Sequence, residues 1–420
     1  MPAVGGVSMT FKRTTLAAAL VAALSLGGLM VPFPTAAAES RLQAQTAKAE
    51  KGDAEAAYWV ANAYWNGEKV KRDPVIAMRW YRQAAEGGQA KAAANLGVAY
   101  MNGEAGFKVD LVEARRWLTK GAEGGAVNGM LALALIYGEG RGVAVDKQAS
   151  HRWRLKAAEA GDAEAISMVI IDYQDGRGVA ANNVELRRWL ARGGVLGNAD
   201  AMASLAGRLI QGDGQGPVDP KEGVRWMRMA AMAGHQEATF YMSLLHANGE
   251  FLPEDIPAAS AWMEKARALG FTPPAAFERF LAAKKSKPTT WQAEADAAFA
   301  DGIRLSAGDK KDKVTALAFP RFLAAADLGH PAAMYMVGLA YDTGSGIAQD
   351  KWQAGRWYLA AALAGEGDAM LRYAMLFGMN GGLPEDQKRT QQWLRKAAAA
   401  GHPTAIEAIK VIDKMENDGR

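Results

Sequence analysis

Small, aromatic and polar residues recur along this chain at fixed distances from a series of glycines. Gly52, Gly88, Gly125, Gly161, Gly197, Gly234, Gly270, Gly329, Gly365 and Gly401 are separated by 36, 37, 36, 36, 37, 36, 59, 36 and 36 residues. Four positions after a glycine the chain is small (Ala56, Ala92, Gly129, Ala165, Ala201), and nine after it is mostly small again (Ala61, Gly97, Ala134, Gly338). At +12 an aromatic is common: Tyr64, Tyr100, Tyr137, Tyr173, Tyr341 and Phe377. This spacing predicts a helix A whose small-residue face admits a second helix closely. A glycine at +15 (Gly67, Gly103, Gly140, Gly176, Gly344) is a stop signal for that helix. An Asp or Asn at +21 or +22 (Asp73, Asp110, Asp146, Asn182, Asp350) suits the N-cap of a helix B. Eight residues before most of the ruler glycines stands a tryptophan: Trp80, Trp117, Trp153, Trp189, Trp226, Trp262, Trp357 and Trp393. A period near 36 residues predicts an all-α, right-handed solenoid of helix–loop–helix repeats, each burying its apolar face on its neighbours. The tryptophans, held at one register, are expected to be structural.

The rhythm breaks once. Residues 271–293 read as a half-repeat, with a helix over Phe271–Ala283, followed by the exposed linker Lys284-Lys285-Ser286-Lys287-Pro288 and a bend. The register resumes with Ala293 in the glycine's place, Gly302 at +9 and Gly308 at +15. The expected organisation is therefore a block of six repeats over 39–270, the half-repeat and linker over 271–293, three repeats over 294–401, and a cap helix over 402–420.

Residues 1–38 are of a different kind. Lys12 and Arg13 precede an apolar run from Leu16 to Val31, and Ala36-Ala37-Ala38 offers a small-x-small cleavage site. This reads as a cleavable signal peptide. The run is interrupted by Gly27-Gly28 and Pro32 and is short for a membrane span of about 20 residues. An uncleaved anchor is the alternative, and Met9 is a second candidate start. The expected product is periplasmic or secreted, with no stable membrane span after cleavage.

Of 420 residues, half are hydrophobic and none is cysteine. The chain thus has no disulfide staple, no thiol nucleophile, no thiolate metal site and no cysteine to lipidate. The formal charge of +4 falls to +2 once Lys12 and Arg13 are removed, which gives no electrostatic footprint for nucleic acid.

These marks resemble the Sel-1-like repeat family, a relative of the tetratricopeptide repeats. The resemblance rests on Ala92 to Tyr100 with Leu96-Gly97, on Gly140-Arg141-Gly142-Val143 with Asp146, and on Trp153 to Gly161, and it covers roughly residues 39–410. It implies an α-solenoid that mediates protein–protein interaction, often in envelope signalling or polysaccharide export. Some bacterial members rely on paired cysteines and were proposed to bind cell-wall-like compounds; this chain lacks those cysteines. The resemblance also implies a concave face lined by helix A at offsets +6, +10 and +13. Those offsets hold Tyr58, Asn62 and Trp65 in the first repeat, Phe240 and Phe299 further on, and Tyr335 and Asp342 near the end. Packing against the neighbouring repeat is the competing role for these positions. Trp59 and Trp65 lie off the recurring pattern, and aromatic anchors dominate interfaces.

Other features carry less. Asp342-Thr343-Gly344-Ser345 spells an aspartic-protease tetrapeptide, but Gly344 sits at the helix-stop register. His235, His330 and His402 directly follow ruler glycines, His246 fills a +12 slot, and no two histidines have metal-ligand spacing. Acids at +3 (Glu55, Glu164, Asp200, Glu237, Asp368) complement the helix dipole. The methionines fall mostly at core slots. The sequence thus predicts an exported, non-catalytic scaffold or regulator that binds another envelope protein, with no cofactor and no metal. The alternative is a carbohydrate- or cell-wall-binding component of polysaccharide or peptidoglycan machinery.

Overall fold

A computed structural model describes residues 35–68, 70–284, 291–306, 316–378, 381–384 and 386–417. Gly308, residues 285–290 of the linker, and all of the 1–38 leader except its last four residues lie outside the described residues. The described residues contain 21 helices and no strand, and they fall into two compact units, one ending at Trp189 and the other spanning Leu190–Lys414. No helix among the described residues is long and apolar enough to cross a membrane.

A first helix, α1 (Thr35–Glu50), precedes the hairpins. In the N-terminal unit the A and B helices are α2 (Ala54–Asn66) with α3 (Pro74–Glu86), α4 (Ala90–Asn102) with α5 (Leu111–Glu123), α6 (Val127–Glu139) with α7 (Lys147–Glu159), and α8 (Ala163–Asp175) with α9 (Asn183–Val195), which runs on into the second unit. The C-terminal unit continues with α10 (Ala199–Gln211), α11 (Pro220–Met232), α12 (Gln236–Asn248), α13 (Ile256–Ala268), α14 (Ala275–Ala283), α15 (Trp291–Ser306) and α16 (Phe319–Asp327). It ends with α17 (Pro331–Thr343), α18 (Lys351–Leu363), α19 (Gly367–Leu376), α20 (Gln387–Ala399) and α21 (Pro403–Asn417).

The recurring residues make these boundaries by local chemistry. All ten ruler glycines have φ between +84° and +96°, a region that a Cβ makes costly. There the chain leaves helix B, and the next amide turns back to a carbonyl of its last turn, as Gln89 N does to Ala84 O. The Asp at the start of helix B works twice. Its carboxylate accepts from the first-turn amides, as Asp146 does from Ala149 N at 2.8 Å. Its own amide donates to the +12 residue's carbonyl, as in Asp146 N to Tyr137 O at 2.8 Å, which locks the returning loop to the end of helix A.

Between the two helices, the small +9 residue faces the residue that follows the tryptophan. A Cβ on Gly97 would stand 2.6 Å from Leu118 Cγ, one on Gly302 2.6 Å from the Phe322 ring, and one on Gly338 2.6 Å from the Tyr358 ring. Small size is therefore required by a specific large neighbour. The tryptophans themselves divide. Trp117, Trp189, Trp226, Trp357 and Trp393 are buried, whereas Trp80, Trp153 and Trp262 are half-buried. A lysine one turn on lies over the ring at Trp153 (Lys156, 4.3 Å), Trp262 (Lys265, 4.4 Å) and Trp393 (Lys396, 4.0 Å). The register is uniform, but the burial is not.

The C-terminal unit makes contacts that a strictly nearest-neighbour array lacks. The Tyr373 hydroxyl donates to Val195 O at 2.6 Å, 178 residues away. Arg192 lies 5.3 Å over the Trp352 ring. Between α11 and α16, Arg225 donates to the Asp327 carboxylate at 2.6 Å and Arg228 to the Asp327 carbonyl at 2.9 Å. Arg356 of α18 donates to the Glu222 carboxylate of α11. Burial lowers the Arg356 pKa, and brings that of Arg228 down to about 10.

Candidate functional site

In the first hairpin Tyr58, Asn62 and Trp65 converge on one buried side chain of helix B, Tyr81. The Tyr81 hydroxyl donates to Asn62 Oδ1 at 2.6 Å. The Tyr58 and Trp65 rings lie 5.9 and 6.5 Å from the Tyr81 ring. Burial raises the Tyr81 pKa, and Tyr58 adds to the effect. Tyr58, Asn62 and Trp65 are each half-buried. Arg72 covers part of Trp65, with its guanidinium 5.5 Å from the ring centroid and its Nε donating to the Trp65 carbonyl at 3.0 Å. Trp59 sits under Arg41 of α1 at 5.3 Å. The offsets do bring three polar and aromatic side chains to one place, and part of each is spent on packing.

The other named positions lie apart from this cluster, each in a local group of its own. Phe240 stacks on Phe271 at 4.7 Å and meets Phe277 edge-on at 5.3 Å. Phe299 lies 5.8 Å from Phe322 and stacks on His330 at 4.3 Å. Tyr335 and Asp342 share Tyr358: the rings are 5.8 Å apart, and the Tyr358 hydroxyl donates to Asp342 Oδ2 at 3.0 Å. Lys351 Nζ holds the other carboxylate oxygen of Asp342 at 2.5 Å. Gly344, at φ +72°, closes α17, so Asp342 belongs to a helix end and not to a catalytic turn. A regularity the sequence reading missed joins these groups. Three of the four aromatic +6 positions (Tyr58, Phe299 and Tyr335) face an aromatic just after the tryptophan position, in Tyr81, Phe322 and Tyr358, whereas beside Phe240 that residue is Met263.

The histidines have specific roles. His235 and His330 are helix-A N-caps whose Nδ1 accepts from Ala238 N at 3.1 Å and Ala333 N at 3.2 Å. Their position after the glycine is the one held elsewhere by Asp53, Asp162 and Asn198. His246 is buried in a +12 slot, 6.2 Å from the Trp291 ring. Burial first, and Arg228 second, lower its pKa from 6.5 to about 4, against the opposing pull of Asp255 and the Pro253 backbone. Below pH 6.5 the unfolded chain binds a proton that the native chain refuses until about pH 4. Stability therefore falls as pH falls through that window, by up to about 3 kcal/mol. Denaturant melts from pH 7 to 4 are expected to show a slope that His246→Phe removes.

Two residues break their columns together. Asp172 stands where other repeats have Ala63, Ala99 or Leu245, and Arg154 where they have Tyr81, Leu118 or Leu190. The Asp172 side chain is 0% exposed. It accepts from Arg154 at 2.7 Å and pairs with His151 Nδ1 at 3.0 Å. The mismatch was visible in the sequence as two opposite charges in mostly apolar columns.

Helix pairs capped by glycine and aspartate, with small residues under a large neighbour, define an all-α repeat solenoid of the kind that presents surfaces to partners. The chain belongs to the Sel1 repeat family. The Sel1 repeat model matches residues 54–89, 90–125, 127–162, 199–235, 236–271, 331–366 and 367–402, more than half of the chain. Residues 163–198 and 272–330 lie between these matches, yet they carry α8, α9 and α14 to α16. Among solved structures, a protective antigen of uropathogenic Escherichia coli with an SLR fold is 24% identical, over 90% of this chain and 77% of that one, with a TM-score of 0.47. A Sel1 repeat protein from Oxalobacter formigenes is 28% identical, over 52% of this chain and 88% of that one, with a TM-score of 0.38. No curated protein matches the sequence.

Proposed function

We propose that this Sel1 repeat protein is an exported, non-catalytic scaffold or regulator that binds another envelope protein through the helix-A face of its repeats. The leader of residues 1–38 would be removed, leaving a repeat block over 39–270, a half-repeat and linker over 271–293, a second block over 294–401 and a cap over 402–420. The observation that carries the reading is the first hairpin. Although Tyr81, Phe322, Tyr358 and other aromatic residues are buried in the core, Tyr58 and Trp65 are left half-exposed beside the Asn62 amide. Such rings are the usual anchors of an interface. Phe240, Phe299, Tyr335 and Asp342 hold the further positions of the same offset series. A carbohydrate or cell-wall ligand is the second reading, favoured by the same pairing of an amide with two aromatic faces.

The test is capture from an envelope extract by the purified chain and by the double variant Tyr58→Ala, Trp65→Ala. We expect the wild type to retain a specific protein, and the double variant, still folded with a cooperative melt, to lose it at least thirtyfold, since anchor residues cost about 2 kcal/mol or more. Full capture by a stable double variant would reject the site. Loss of stability together with capture would make these residues an end cap. Retention of glycan alone would select the second reading.

A further inference from the structure

In the second hairpin one carboxylate serves the tryptophan and the arginine before it. Glu113 stands three residues after the capping Asp110 of α5. Arg116 donates to its Oε1 at 3.2 Å, and the Trp117 indole Nε1 donates to its Oε2 at 3.1 Å. Lys120 lies 5.3 Å over the same ring. The bridging carboxylate satisfies the indole and partly neutralises the cations beside it, and Trp117 is 4% exposed.

The third hairpin repeats this arrangement with one part exchanged. Arg152, Trp153 and Lys156 follow the capping Asp146 at the same distances, but Ala149 stands in the place of Glu113. Lys156 again lies over the ring, at 4.3 Å. Arg152 and Lys156 are exposed, and Trp153 and Tyr137 are half-buried. Among the described residues, the Arg152 guanidinium, the Trp153 indole Nε1 and the Tyr137 hydroxyl have no hydrogen-bond or ion-pair partner. A cleft of about 290 Å³ opens at this point, lined by Tyr137, Asp146, Ala149, Arg152, Trp153 and Lys156. Ala149 is part of its wall, so the cleft lies where a longer side chain at that position would reach. The first hairpin also lacks the acid, but there Ile76 stands in its place, beside Arg79 and Trp80.

We propose that the cleft beside Trp153 binds a carboxylate side chain from an acidic segment of a protein partner, which does there what Glu113 does in the second hairpin. The carboxylate accepts from Arg152 and from Trp153 Nε1, with Lys156 as a second neighbouring cation; such charge-assisted bonds are the strong ones. Asp146 is the one acid in the wall. Its carboxylate already accepts from the Ala149 amide at 2.8 Å, and two cations outweigh its single charge. Two features favour a peptide over an anionic sugar. Lys156 covers a face of the Trp153 ring on which a sugar would stack. The cleft is also at the low end of ligand pockets, about 300–1,000 Å³, and suits one side chain better than a chain of rings. The site uses helix B of the third hairpin and none of the side chains around Tyr58, so either proposal can fail alone.

The test is fluorescence anisotropy of labelled hexaglutamate titrated with the full chain at physiological ionic strength, with hexaglutamine as the neutral control. Saturable binding of hexaglutamate alone is expected. Arg152→Gln is expected to weaken it roughly tenfold or more, the worth of a hydrogen bond to a charged group. Ala149→Glu gives α7 the carboxylate that α5 already has, and is expected to weaken binding by a similar factor without lowering the melting temperature. Arg79→Gln removes an equally exposed arginine where Ile76 replaces the acid, and is expected to bind as wild type does. Absence of saturable binding overturns the proposal, as does binding that survives Arg152→Gln. Equal loss in Arg79→Gln would show diffuse charge attraction and no site. Binding of trigalacturonate in place of hexaglutamate would reject the peptide for an anionic glycan. Should Ala149→Glu misfold, Arg152→Gln against Arg79→Gln decides alone.

Discussion

Replacement of Asp172 by alanine is expected to destabilise the N-terminal unit by about 3–5 kcal/mol, the range seen when one partner of a buried ion pair is removed. The carboxylate is fully buried and is the shared acceptor of Arg154 and His151. Without it, the Arg154 guanidinium loses its counter-charge at a site the other repeats fill with leucine, methionine, phenylalanine or tyrosine. The group is not needed for the fold as such. The triple change His151→Phe, Arg154→Leu, Asp172→Leu replaces the whole buried ionic group with apolar side chains and is expected to recover most of the loss, since apolar replacement of a buried ionic group is often neutral or better. Denaturant midpoints of the single and triple variants decide it. An alanine variant within about 0.5 kcal/mol of wild type, the ordinary scatter of surface changes, would show that water reaches Arg154 and substitutes for the carboxylate.

The second large effect is expected at Trp357→Ala, again about 3–5 kcal/mol as a large-to-small core change. Trp357 is 3% exposed and lies beneath both Arg225 and Arg356. Its loss empties the junction between α18 and α11. The distinguishing readout is hydrogen exchange. Amides of α11 (Pro220–Met232) should lose protection along with those of α18, although the two helices are more than a hundred residues apart in sequence. Loss confined to α17 through α19 would mean that the junction contributes nothing and that only adjacent hairpins are coupled. Trp153→Ala, at the same register but half-buried, is expected to cost distinctly less.

These two sites mark where the sequence was legible and where it was not. The hairpins, their caps and their small-residue contacts follow from local rules. A glycine at φ near +90°, an aspartate accepting from the first-turn amides and a glycine under Leu118 act within one hairpin, so each leaves a mark at a fixed offset. Even the Asp172–Arg154 pair is written there, as complementary departures from two apolar columns. The candidate site was legible in part. Offsets +6, +10 and +13 lie on neighbouring turns of one helix, so Tyr58, Asn62 and Trp65 had to share a face. That Tyr81 would hold them from below depended on helix B, nineteen residues beyond Asn62.

By itself, then, the sequence determined the repeat, its helix boundaries and its nearest-neighbour core. In a stacked array those depend on contacts short in sequence, which a periodic pattern can encode. Only the tertiary structure decided which tryptophans are buried, and that Arg225 and Arg356 both lie over Trp357, with Arg356 also reaching Trp226, while Arg116 and Arg188 lie over their own rings. Every one of these arginines occupies the same register. What separates Arg225 and Arg356 is that each meets a helix more than a hundred residues away in sequence, a contact that no single column of residues encodes.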